Sequence, residues 1–150
     1  MSEAATFQRL QSDMKEAMKA RETERLEAIR LLISSLKNKA IDLARDLKEE
    51  EIIEVLSTEA KKRREAAQAF RDGDRTELAD KEEAELKVIE CYLPEQLSDE
   101  EVGAMVDEVI AATGASTKAD MGKVMGGIMG KIKGRFDGSR AKDIVMSKLS

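Results

Sequence analysis

The chain has 150 residues, of which 38% are charged and 3% aromatic, with one proline, one cysteine, no histidine and a net charge of −5. Without histidine it lacks the usual general base, the usual activator of a nucleophile and the commonest metal ligand. The single Cys91 cannot close an internal disulfide or build a thiolate metal site alone, so disulfide scaffolds and His- or Cys-based zinc sites are excluded.

Abundant Ala, Glu, Lys, Leu and Arg, with few β-branched runs, predict an all-α fold of seven helices and no strand. The first helix covers about residues 4–20, with Phe7, Leu10, Met14, Ala17 and Met18 on one face. Its leading segment, MSEAATFQRL, has no basic region followed by an apolar run, so no secretory signal peptide is predicted. No apolar stretch approaches the roughly 20 residues that span a bilayer. With the lone cysteine, these features predict a soluble cytoplasmic protein that makes no membrane contact.

The second helix, about 23–44, places Leu26, Ile29, Ile33, Leu36, Ala40 and Leu43 in alternating steps of three and four, the pattern of a bundle helix packed lengthwise. Asp46 followed by Glu49 reads as a capping pair opening the third helix, which buries Ile52 or Ile53, Leu56, Ala60, Ala67 and Phe70 and stops at Gly73. The fourth begins near Thr76 and ends in YLP, because Pro94 disfavours helix at Leu93. Residues 94–97 are the best boundary in the chain. Beyond them Ser98, with Glu101 three residues on, caps a fifth helix whose apolar face is Val102, Met105, Val106, Val109 and Ile110 and whose stop is Gly114. A sixth helix runs from about 118 to 132 and a seventh from about 139 to 149.

Residues 121–140, MGKVMGGIMGKIKGRFDGSR, hold six of the nine glycines. From Lys118 to Ser150 there are eight Lys/Arg against three Asp/Glu, so a basic end follows an acidic body. On helix six Met121, Met125, Ile128 and Ile132 form one stripe, and Gly122, Gly126 and Gly130 form a second beside it. Each interior glycine costs about 1 kcal/mol relative to alanine. Such a flat stripe lets another backbone come close. One reading places a neighbouring helix of the same chain there, the fifth or the seventh; the other places a nucleic-acid backbone or a partner's helix there. Gly134 and Gly138 flank a loop and serve turns. The segment is no P-loop, since the first glycine spacing, the Ser/Thr and the preceding strand are all missing.

Lys61, Lys62, Arg63 and Arg64 form a second basic run, read as a solvated face pairing with glutamates or as a second contact to nucleic acid or a partner. Of the acidic clusters at 49–51, 82–85 and 99–101, two sit at predicted helix starts, where carboxylates are expected, and none is assigned as a cation site. Cys91 is expected to be a buried, inert thiol. No nucleophile, base and orienting group come together, so no catalytic residue, cofactor or metal is assigned.

YLPEQLSDEE, MGKVMGGIMGKIKGRFDG and AKDIVMSKL together resemble the GatB/YqeY family. Its members include small stand-alone bacterial proteins, and its domain also forms the tail of the B subunit of the tRNA-dependent amidotransferase. The similarity to the stand-alone type covers essentially the whole chain, KKRREAAQAF included, with residues 121–138 its specific part. It implies an N-terminal helical-bundle subdomain, residues 1–95, and a smaller C-terminal three-helix subdomain, residues 96–150. In the amidotransferase this tail helps hold tRNA, while glutamine hydrolysis and amide transfer reside in other domains. Gly122, Lys123, Met125, Lys133, Gly134 and Arg135 match the family's basic glycine-rich motif. Phe136 stands where the family usually has a small residue, and Lys142 where it has asparagine.

The expectation that follows is a non-catalytic module binding tRNA, or a protein of the tRNA-aminoacylation machinery, and not DNA. Lys123, Lys131, Lys133, Arg135 and Arg140 would meet phosphates, and Gly122, Gly126, Gly130 and Gly134 would allow close approach. A protein–protein adaptor whose glycine stripe receives a partner helix is the alternative. Amide transfer with glutamine as donor is implied by the resemblance alone.

Overall fold

A computed structural model describes residues 4–150; residues 1–3, the start of the MSEAATFQRL segment, lie outside it. The described residues form seven helices and no strand, as the composition predicts. They fall into two compact units, residues 4–93 and 94–150, each with its own core.

The first unit contains α1 (Ala5–Lys19), α2 (Thr23–Leu43), α3 (Glu49–Asp72) and α4 (Thr76–Glu90). Leu10 of α1, Ile29 and Leu36 of α2, and Ile52 and Leu56 of α3 are fully buried, each contributing on the order of 1.5–3 kcal/mol of apolar transfer. The stepping pattern on α2 is real but rotated. Ala28 and Leu32 join Ile29, Ile33 and Leu36 in the core, and Leu43 lies exposed at the helix end. Met18, expected on the buried face of α1, is 49% exposed.

The third helix starts two residues later than the Asp46–Glu49 pairing suggests. Lys48, in extended conformation, is the N-cap, and its N–H donates to Glu51 Oε1 at 3.0 Å. Glu49 instead accepts from the backbone N–H and the hydroxyl of Thr6, tying the start of α3 to α1.

The most extensive packing in this unit joins α3 to α4. Of the basic run on α3, Arg63 serves that hairpin, donating to Glu82 at 3.0 Å and Glu85 at 3.2 Å, while Lys62 pairs with Glu59 of its own helix at 3.5 Å. Arg71 bridges Asp80 and Glu83 nearer the turn. Past α4, buried Tyr92 donates its hydroxyl to Asp13 Oδ2 at 2.5 Å, with the Arg9 guanidinium 4.7 Å above its ring. Cys91, expected to be buried, is exposed, because the last turn of α4 points it outward; its Sγ donates to the Lys87 carbonyl at 3.3 Å.

The second unit contains α5 (Asp99–Thr113), a single 3-10 turn (Lys118–Asp120), α6 (Met121–Ile132) and α7 (Gly138–Lys148). All three helices pack on one another around Val102, Val106, Val124, Ile128, Ile132 and Val145. Ser98 caps α5 as predicted, its Oγ accepting from the Glu101 N–H at 3.1 Å.

Candidate nucleic-acid interface

Three devices position α6. At its start, Asp120 Oδ2 accepts from the N–H groups of Ser116 at 3.0 Å and Thr117 at 3.3 Å. These donors, Ser116 first, hold the Asp120 carboxyl below its usual range. Along its length, Val124, Ile128 and Ile132 repeat every four residues and are fully buried, with Met121 and Met125 partly covered beside them. At its end, Gly134 takes the left-handed φ of 75° that closes the turn.

The glycines divide between two faces. Gly127 is the one that lets α5 come close: a Cβ there would stand 2.7 Å from Val109 Cγ1. Around Gly122, Gly126 and Gly130 the same construction meets no atom within 4 Å, and all three are exposed. The expectation that the fifth or seventh helix covers this stripe is therefore corrected. The apolar arc of α6 turns Gly127 toward α5 and leaves the stripe on the outer surface.

The five cations assigned to phosphate contacts do not form one surface. Lys123 and Lys131 are exposed on α6, eight positions and so about 12 Å apart along its axis, on one flank of the glycine stripe. Lys133 is exposed at the C-cap.

Arg135 is engaged internally. Its Nε donates to the Glu95 carbonyl at 3.1 Å and its guanidinium also reaches the Lys131 carbonyl at 3.4 Å. The backbone there is stapled further: Leu97 N–H donates to the Arg135 carbonyl at 2.9 Å, and Gln96 Nε2 donates to the Gly134 carbonyl at 3.0 Å. Arg140 is ion-paired with Asp99, and its guanidinium lies 5.0 Å from the Phe136 ring centroid. Phe136 is half-buried against the core of this unit, so between the core and Arg140 it is an anchor rather than a free stacking ring.

Sequence reasoning missed Met129, 45% exposed on the opposite flank of the glycine stripe, because methionine on an apolar helix reads as core. It also gave no role to Lys118 and Lys142, both exposed and neither held in an ion pair among the described residues. No group of three or more carboxylate or thiol side chains is placed to hold a metal among the described residues. No described helix is long and apolar enough to cross a membrane.

Residues 7–149 match the family described as Yqey-like protein, and the chain belongs to that family. It is 33% identical over 104 residues to "Altered inheritance of mitochondria protein 41, mitochondrial" of Lachancea thermotolerans, covering 67% of this chain and 56% of that one. The proteins of the same name from Vanderwaltozyma polyspora and Kluyveromyces lactis are 37% and 35% identical over 86 and 105 residues. Those matches cover 56% and 67% of this chain, and 46% and 56% of the relatives. The chain thus spans about half the length of the curated relatives it matches. These relatives are fungal, where the resemblance pointed to bacterial stand-alone proteins. Their names also correct the expectation of a cytoplasmic protein, since each is called mitochondrial. The single cysteine and the apolar pattern of the first residues, on which that expectation rested, do not separate one reducing compartment from another.

Proposed function

We propose that this YqeY-like chain is a non-catalytic module that binds RNA of the tRNA class through the outer face of α6. The observation that carries the reading is the exposed stripe of Gly122, Gly126 and Gly130 beside the exposed Lys123 and Lys131. Three exposed helical glycines cost about 1 kcal/mol each, and no contact among the described residues offsets them. A surface without side chains admits a sugar–phosphate backbone to the helix backbone, and flanking lysines neutralise the phosphates. The tRNA class rests on the resemblance to the amidotransferase tail. A mitochondrial setting is taken over from the relatives' names.

With Arg135 and Arg140 engaged internally, about two or three phosphate contacts remain, and log Kd should vary with log salt with a slope of about 2 to 3 in magnitude. The test is binding of the full chain to total tRNA between about 50 and 200 mM salt. The Lys123→Ala/Lys131→Ala double variant should weaken binding and flatten the slope. Unchanged affinity and slope in that variant would sink the reading.

The adaptor alternative has one observation in its favour. Met129, 45% exposed beside the stripe, is the apolar flank a docking helix would use. It predicts binding to a protein that is insensitive to salt and lost in Met129→Glu. Amide transfer stands on the resemblance alone, and the isolated chain should release ammonia from glutamine if it holds.

A further inference from the structure

In the first unit, three hollows run end to end along α2 where it faces α4 and α3. The first, about 750 Å³, lies between α2 and α4. The second, about 150 Å³, shares Ala28 and Glu85 with the first and includes the buried Leu32 and Ile89. The third, about 410 Å³, shares Ser35 and Glu59 with the second and lies between α2 and α3. Together they follow α2 from Glu24 to Asp42, about 27 Å at 1.5 Å per residue.

Midway along the groove Leu31 is 57% exposed, a large apolar side chain on an otherwise polar helix face. The walls are acidic. Glu24 and Glu27 of α2 stand with Glu77, Asp80 and Glu85 of α4 around the first hollow, against Arg25 and Lys81. Asp42 stands with Glu51, Glu54 and Glu59 around the third, against Lys39. Several of these carboxylates are already paired, Glu85 with Arg63, Glu51 with Arg45 and Asp80 with Arg71. Glu24, Glu27, Asp42 and Glu77 are exposed and have no ion pair among the described residues.

An acidic wall of this length repels nucleic acid and other anions. The carboxylates are spread over too great a distance for one cation, and no group of them is placed to hold a metal. A helix laid in the groove fits on three counts. The length matches about 18 residues of helix. The exposed leucine gives an apolar anchor point at the centre, and the unpaired carboxylates on both sides call for cations on the flanks of the incoming helix.

We propose that this groove docks a cationic amphipathic helix of a partner protein. Its apolar face covers Leu31, and its Lys/Arg residues meet Glu24 and Glu27 on one side, Glu77 on the other and Asp42 at the far end. The groove lies wholly within residues 1–93, so this stands or falls separately from RNA binding by α6.

The probe is a synthetic peptide of about 18 residues with leucines on one helical face and lysines flanking them, titrated into the isotope-labelled full chain. A control peptide has the same composition with the leucines spread around the helix. Amide shifts confined to α2, α3 and α4 are expected, with affinity falling between about 50 and 200 mM salt. Leu31→Ala and Glu27→Lys/Glu77→Lys should each weaken binding about tenfold or more. All three positions are exposed, and the amide spectra of the free variants verify their fold. Equal binding of the control peptide would reduce the groove to undirected charge attraction and overturn the proposal. So would shifts centred elsewhere, or affinity unchanged by both variants. Self-association of the free chain that Leu31→Ala abolishes would overturn it in favour of a second copy as the occupant.

Discussion

Gly127 and Val109 meet so closely that a methyl group on Gly127 would stand 2.7 Å from Val109 Cγ1 and 3.2 Å from Cγ2. Valine is stiff at χ1, so relief requires α5 and α6 to move apart. Gly127→Ala should therefore destabilise the chain by about 1–2 kcal/mol, overpacking outweighing the gain in helix propensity. One residue earlier the sign reverses. Gly126→Ala meets no atom within 4 Å and should stabilise by about 0.5–1 kcal/mol. Denaturation followed by circular dichroism, with amide exchange in α5–α7, separates the two; equal effects would refute the assignment of faces.

Arg135 and Lys123 should part company in the same way. Arg135→Ala removes the guanidinium that donates to the Glu95 and Lys131 carbonyls, loosening the clamp between residues 94–97 and the turn after α6. A loss of about 1 kcal/mol is expected, with faster amide exchange at Leu97, whose N–H donates to the Arg135 carbonyl. Lys123→Ala removes only a weak charge attraction to Asp120 at the other end of α6, so it should leave exchange at Leu97 unchanged while weakening RNA binding. If Arg135→Ala leaves exchange at Leu97 unaltered, the clamp does not carry load.

The contrast between those two residues shows what a sequence can display. Helix periodicity, the end of α4 before Pro94 and the Ser98–Glu101 cap depend on neighbours within a few positions, and all three appear in the structure. The side of α6 that faces inward depends on another helix. Two apolar arcs share Ile128 and Ile132, one through Met121 and Met125 and one through Val124, and packing buries Val124 fully while Met121 and Met125 stay partly covered. That rotation leaves Gly122, Gly126 and Gly130 open and sets Gly127 against Val109 of α5. Long-range partners are equally hidden. Arg140 meets Asp99 from 41 residues away, and Arg135 reaches Glu95 from 40. Composition counts both arginines as free charge; the fold engages them internally.

An acid-sensitive contact lies at the start of α3. Arg45 donates from both terminal nitrogens to Glu51, at 2.7 and 2.8 Å, and the Lys48 N–H adds a third bond. These donors, Arg45 first, pull the Glu51 carboxyl down to about 2. The ionised form is thus favoured by folding, so its stabilisation is present above the unfolded value of about 4.3 and is lost as pH falls from there toward 2. Amide exchange in the first turn of α3 should accelerate through that window. Glu51→Gln should show the faster exchange already at neutral pH, with little further change on acidification. A wild-type turn equally protected at pH 2 and pH 7 would contradict the assignment.

The opposite pH limb belongs to Tyr92. Burial first, and then the hydrogen bond to Asp13, raise its phenol well above the usual range. Folding favours the neutral hydroxyl, so this contribution is complete below the unfolded value of about 10 and declines as pH rises past it. Tyr92→Phe keeps the ring beneath Arg9 but leaves Asp13 without its donor, at a cost of about 1–2 kcal/mol near neutrality. The variant has no phenol to ionise, so its deficit should shrink above about pH 10 as the wild type loses the neutral form. Urea midpoints compared between wild type and variant from neutral pH to about 11 measure that convergence, since other groups titrate alike in both chains and cancel in the difference. A deficit that stays constant across the range would mean that the Tyr92 hydroxyl is not selectively held neutral, and that the bond to Asp13 contributes only as packing.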